Sequence, residues 1–294
     1  MSRKSWFLFL LSGLLWGVPY LFIAVAVKDF HPSVVILIRV TIGAVILTIF
    51  SFRQGTLALA FKNWKIVLLY AIGELVMPWY LITNAEKGLS SGLTSLIICT
   101  TPIWSSLFAA RYGDKTVWQG RRVVGLAVGF AGVILLVGLE AFHDIGNTSS
   151  ILQVIVASAG YAWATNMITY RIPQVDGVAV NAVAMIMTSL LYLPFAIYFW
   201  PDQTPSKAGI ASVLSLGFFC TAIAFIAFFI AMREMGPARS SLVTYLNTLV
   251  AVVLGVVILS EPLTVGVIVG LPLVLLGSYW ASRKERPSTT SVTQ

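Results

Sequence analysis

Two ionisable residues of this 294-residue chain lie deep inside long apolar runs. Arg39 interrupts "VVILIRVTIGAVILTIF", and Glu74 interrupts "YAIGELVMPWY". A charge in hydrocarbon is costly and usually faces a partner or a wet cavity. At the rise of a helix, Arg39 and Glu74 lie roughly 10 and 13 Å from the same face of a bilayer. Helices adjacent in sequence are usually neighbours, so the spacing predicts that Arg39 and Glu74 meet. Two roles compete for such a charge pair: a lock between helices, and a pathway lining that handles substrate or protons. Removing one partner leaves an unpaired buried charge. Arg39→Met combined with Glu74→Gln is therefore expected to recover folded protein better than Arg39→Met alone.

The next candidates are aromatic. Trp16 and Trp163 lie near the middle of their apolar runs, with Trp104, Tyr20, Trp79, Tyr80, Tyr161 and Tyr245 as further rings at depth. Such faces stack on flat rings and attract cations. Asn166 and Asn247 are polar at depth and suit the two ends of a zwitterion. Pro78 follows Glu74 closely and frees a backbone carbonyl. With Glu74, these residues form the candidate substrate-binding set. Each ring also suits plain helix packing, and each asparagine suits a tie between two helices. Pro19, Pro102, Pro194 and Pro272 are expected to interrupt other apolar runs, as Pro78 does.

Other chemistry finds little support. "GLSSG", from Gly88 to Gly92, has the spacing of a hydrolase elbow, but such an elbow needs a preceding strand and a triad histidine. Here an apolar helix comes next, and His31 and His143 both fall in loops. They are also too few for a metal cluster. The G-K dipeptide of an ATP-binding loop is absent. Cys99 and Cys220 sit in apolar runs and read as small buried residues. No catalytic residue, cofactor, metal or nucleic-acid partner is expected.

The elements that must position these residues follow from composition. The chain is 58% hydrophobic and 10% charged, which no water-soluble surface could cover. A bilayer needs roughly 20 helical residues per crossing. Apolar runs of that order lie at 5–27, 32–52, 64–83, 88–110, 120–140, 150–171, 178–200, 208–231, 236–259 and 263–281. The first continues too far for a signal peptide and reads as a span. Ten spans with both termini inside leave only Lys28, Lys87 and Lys207 in outer loops. Arg39 lies within a span, and the other fifteen of the 19 Lys and Arg face the cytoplasm. That is the asymmetry of the positive-inside rule, and it explains the net charge of +8 without a nucleic-acid partner. Trp6, Trp64, Trp118, Trp200 and Trp280 fall at span ends, where indole prefers to sit.

The two halves of the chain echo each other. Gly13 and Trp16 match Gly160 and Trp163. Gly125 and Gly132 match Gly270 and Gly277. Glu86 and Gly88 in "EKGLSSGLTSL" match Glu234 and Gly236 in "EMGPARSSLVT". The offset stays near 147 residues. Five helices per half is an odd number, so the halves insert with opposite orientation, as in secondary transporters.

"LSGLLWGVPYLFIAVAV", Pro32 and Arg39 of "HPSVVILIR", and "LSEPLTVGVIVGLPLVLLG" resemble the EamA-type repeats of the drug/metabolite transporter superfamily. The resemblance covers about residues 5–282. The first half departs from it, with Asp114 where the second half has Glu261. Within the superfamily the chain resembles the bacterial YddG exporters of aromatic amino acids and methyl viologen. The resemblance implies an all-α integral membrane protein of ten helices, with one five-helix repeat at 1–143, a second at 148–282 and a cytoplasmic tail at 283–294. It implies a multi-pass protein of the bacterial inner membrane that exports small metabolites, aromatic or other neutral amino acids first, by alternating access. Its partners are then a small-molecule substrate and the lipid bilayer. The rival within transport is a nucleotide-sugar or other metabolite carrier. A membrane enzyme on lipid-linked substrates is disfavoured, because no His, Asp or Lys cluster marks one face.

Overall fold

A computed structural model describes residues 2–114, 118, 120–143, 148–235, 242–262 and 264–282. Every regular element among them is helical. In lipid a segment must pair its own backbone polar groups, and a helix does so. The main helices are α1 Arg3–Ala26, α2 Pro32–Arg53, α3 Trp64–Ala85, α4 Ser91–Arg111, α5 Gly120–His143, α6 Thr148–Arg171, α7 Gly177–Tyr198, α8 Lys207–Met235, α9 Val243–Leu259 and α10 Val265–Ser282. Seven of them, α1–α4 and α6–α8, are long and apolar enough to cross a membrane. A short helix, Leu57–Lys62, links α2 to α3.

Caps set several starts. The His31 side chain accepts from the Ser33 N–H, and the Asp176 and Ser206 side chains cap α7 and α8 in the same way. Ser90, the serine of the elbow-like "GLSSG", accepts from the Leu93 N–H and starts α4 three residues later than the expected 88. The 236–241 part of the ninth expected span lies outside the described residues. So do Gly236 of the repeat, Leu263 of the E-P-L-T segment, the tail at 283–294, and Lys115, Arg239, Arg283, Lys284 and Arg286 of the charge tally.

Three of the five prolines mark breaks. Pro19 restarts α1 after Gly17, Pro102 restarts α4 after Ile98, and Pro78 comes after a wide π-helical turn at Ile72–Val76. The other two correct the expectation. Pro194 and Pro272 lie inside α7 and α10, which run on unbroken. A second π-helical turn, Phe218–Ile223, lies in α8 near the repeat offset from the first.

Prominent packing pairs are α5 with α10, α2 with α7, α1 with α8, α3 with α6, α2 with α8, α3 with α7, α1 with α9, α4 with α6, and α4 with α9. Glycine makes the α5–α10 contact possible. A methyl group on Gly277 would collide with Gly129 Cα and lie 2.8 Å from the Gly125 carbonyl oxygen. Only helices stripped of side chains there can approach so closely.

Candidate functional site

Arg39 lies on the inner face of α2 and is 8% exposed. Its Nε–H donates to Thr221 Oγ1 at 2.9 Å, and its guanidinium carbon stands 3.6 Å from the centre of the Trp79 ring. Thr221 belongs to the π-helical turn of α8, and Trp79 to α3. The Nη fork of Arg39 has no hydrogen-bonding partner among the described residues.

Glu74 lies in the π-helical turn of α3 and is half-buried. Thr165 Oγ1 of α6 stands 3.3 Å from its Oε2 and 2.8 Å from the Tyr161 carbonyl. The expected Arg39–Glu74 ion pair is therefore corrected: each side chain lies against a threonine of the second half, and no salt bridge joins them. The Tyr161 hydroxyl lies within electrostatic reach of both. Thr165, beside Glu74, and Thr169, one turn further on α6, are exposed, so this stretch is not sealed.

The aromatic candidates divide by neighbour. Trp16 meets Phe225 and Phe228 of α8, with ring centres 5.3 and 4.7 Å apart. Its repeat mate Trp163 packs on α3, where a methyl group on Gly73 would come within 2.7 Å of the indole. Pro78 packs beside Gly160 on the same α3–α6 contact. Tyr161 is half-buried and touches both large apolar clusters of the core. Tyr20 is buried among Phe30, Ile82 and Leu93. Tyr80 is half-buried, its ring 6.5 Å from His31. Trp104 stands edge-on to Phe130 of α5 at 5.5 Å.

The asparagines act within the helices. Asn166 Nδ2 donates to Ser105 Oγ at 2.7 Å and to the Ala162 carbonyl at 2.8 Å, tying α6 to α4. Asn247 Oδ1 accepts from Thr248 Oγ1 at 3.3 Å, and its backbone carbonyl faces Gly17. Tyr245 is half-buried on α9. The candidates thus form no single ring. Arg39, Trp79, Tyr161, Glu74 and Trp163 run together along α2, α3 and α6, and Trp16 faces α8.

Sequence reasoning missed Thr165 and Thr221, because threonine is ordinary in a membrane helix. One clue was present: Thr221 lies 147 residues after Glu74, the offset of the internal repeat. It read two carboxylates at span ends only as marks of the repeat and of the family motif, and missed what they do. Glu261 accepts from the Ser91 N–H at 2.8 Å, from Ser91 Oγ at 2.9 Å and from the Gly92 N–H at 3.1 Å, so it caps α4 across the two halves. Glu86 is 6% exposed, and neither carboxyl oxygen has a hydrogen-bond partner among the described residues.

Comparison with known proteins places these features in a family. The model of the EamA-like transporter family matches residues 3–138 and again 148–283. An uncharacterized transporter of Archaeoglobus fulgidus is 25% identical over 288 residues, covering 96% of this chain and 99% of that one. The uncharacterized inner membrane transporter YedA of Escherichia coli K12 is 26% identical, covering 90% and 89%. A protein of Streptantibioticus cattleyicolor named "Probable terminal-alkyne amino-acid exporter" is 25% identical over 280 residues, covering 94% and 90%. A solved crystal structure shares the fold at a TM-score of 0.65 and 20% identity, covering 95% of this chain and 98% of that one. The chain is a multi-pass membrane protein that belongs to the EamA-like transporter family.

Proposed function

We propose that this protein is a secondary transporter of the bacterial inner membrane that exports neutral amino acids, aromatic ones first, by alternating access. The reading has ten spans as two inverted five-helix repeats, at 1–143 and 148–282, with both termini in the cytoplasm. The double match of one family model supports the duplication. So do the packing pairs, which map onto each other when every helix is exchanged for the one five places on: α1–α8 onto α6–α3, and α1–α9 onto α6–α4. Residence in the inner membrane has the support of YedA's own name.

One observation carries the substrate class: a guanidinium and a carboxyl group stand at depth without pairing, with aromatic side chains near both. A carboxylate fits the open Nη edge of Arg39, because a guanidinium fork grips planar anions with two parallel hydrogen bonds. Glu74 suits an ammonium group. Tyr161, Trp79 and Trp163 offer ring faces between or beside the two. A substrate with an anionic end, a cationic end and a flat apolar body matches that pattern. The amino-acid exporter named among the relatives supports the same class. A likeness to the YddG exporters, which also carry methyl viologen, is part of this reading. A nucleotide sugar fits poorly, since its phosphates need several buried cations.

Counterflow of labelled phenylalanine in proteoliposomes tests it. Unlabelled phenylalanine should compete, while phenethylamine and 3-phenylpropionate, each lacking one charged end, should compete at least about tenfold less well, a loss of roughly 1.4 kcal/mol. Equal competition by all three would remove the zwitterion from the account. Counterflow of a nucleotide sugar in place of phenylalanine would favour the rival carrier.

A further inference from the structure

Glu86 ends α3 and is sealed, yet both its carboxyl oxygens lack a hydrogen-bond partner among the described residues. Buried polar groups are almost always paired, and an ionised carboxylate without a partner is among the costliest groups to bury. Its match in the internal repeat makes the contrast plain. Glu234 accepts from Ser2 N–H, Ser2 Oγ and Ser5 Oγ and so caps the start of α1. Near the corresponding start of α6, a different side chain of the same turn makes a contact: Asn84 Nδ2 donates to Gln153 Oε1 at 2.9 Å. No such bond holds Glu86 among the described residues.

What surrounds it is a closed end of the bundle. Its chain neighbours Ile82, Ala85 and Leu89 belong to a buried apolar cluster that also holds Tyr20, Phe30, Leu93 and Val252. Glu261 clamps the same end by its bonds to Ser91 and Gly92. The titratable and charged groups that act on Glu86 are Glu261 from the α9–α10 link, Arg39 from α2 and Tyr20 from α1. Glu261 opposes a negative charge on Glu86, and Arg39, already engaged with Thr221 and Trp79, favours one.

We propose that Glu86 is a proton-binding site whose occupancy is tied to closure of this end of the transporter. Closed, the carboxyl is dry and unpartnered and holds its proton. Open, water hydrates it and it ionises as an ordinary glutamate. The proton lost on opening passes to the water that enters, and the same proton returns on closing. Under the proposed orientation this end faces outward, so the pH outside the cell sets the balance. The sign comes from linkage: closure takes up a proton, so closure is favoured as pH falls. Where the open form is ionised and the closed form is not, the equilibrium shifts by about tenfold per pH unit.

Hydrogen–deuterium exchange of the 86–98 segment, in the full-length protein in nanodiscs between pH 5 and 9, reads this opening directly. The ratio of wild type to Glu86→Gln cancels the intrinsic pH dependence of exchange. The amide mimics the protonated acid, so the ratio should be near one at pH 5 and rise by up to about tenfold per unit above it. Glu86→Met is a second neutral variant and should give the same ratio should the amide fail to fold. A ratio that stays flat with pH overturns the proposal, as does a wild type that remains closed throughout. Amino-acid counterflow is measured on the same preparation. Its loss together with a rising ratio would overturn the substrate reading alone, and its presence with a flat ratio would overturn only the role of Glu86.

Discussion

Arg39 is held on two sides and open on the third. The stack on Trp79 contributes about 0.5–2 kcal/mol, and the bond to Thr221, made by a charged donor, about 1.5–3 kcal/mol. Those contacts fix the guanidinium plane and leave its Nη edge presented. Depth and isolation of the two charges were legible from their spacing along the chain. Their partners were not, because pairing depends on angle around the helix. The π-helical turn at Ile72–Val76 adds a residue to one turn of α3. That extra residue rotates the later part of α3 by about 100° relative to an unbroken helix. The pairing experiment therefore changes its expected outcome. Arg39→Met and Glu74→Gln break different hydrogen bonds, so the double variant should be no more stable than Arg39→Met alone. Thermal melting of the singles and the double measures this. A double variant more stable than Arg39→Met alone would restore the ion pair.

At the scale of elements, the glycines do more than mark the repeat. Their spacing in α5 and α10 is visible in the sequence, whereas the fact that Gly277 faces Gly129 is a contact between segments nearly 150 residues apart in the chain, which no local pattern encodes. The methyl of Gly277→Ala would need a space already held by the Gly129 backbone, so the two helices must separate. Overpacking of this kind costs about 1–3 kcal/mol, and a lowered melting temperature in detergent is the expected result. Unchanged stability would mean that α5 and α10 do not touch there. Proline positions were likewise legible, but their effect was not. A proline two residues into a segment after a break costs little, while Pro194 and Pro272 are tolerated inside α7 and α10 because neighbouring groups in a bundle can absorb the freed carbonyl.

At the scale of the whole molecule, helical class, membrane residence and most element positions were legible, because apolar length is dictated by bilayer thickness. The closed end built around Glu261 and Glu86 was hidden, since both residues sit at span ends and look like loop charges. Orientation rests on the skew of Lys and Arg. Single cysteines at Gln203 and Thr204, exposed in the α7–α8 link, should react with an impermeant thiol reagent added outside cells. A cysteine at Gly113, after α4, should react only from inside; outside labelling at that position would overturn the topology. The central claim is transport of a zwitterion with an aromatic body, and the most direct measurement is counterflow of labelled phenylalanine by wild type and Trp163→Ala in proteoliposomes. The account predicts rapid exchange by wild type and a half-saturation concentration raised by a few-fold to about tenfold in the variant, matching a ring contact worth about 0.5–1.5 kcal/mol. Absence of exchange of phenylalanine or any other amino acid by folded wild-type protein would contradict it.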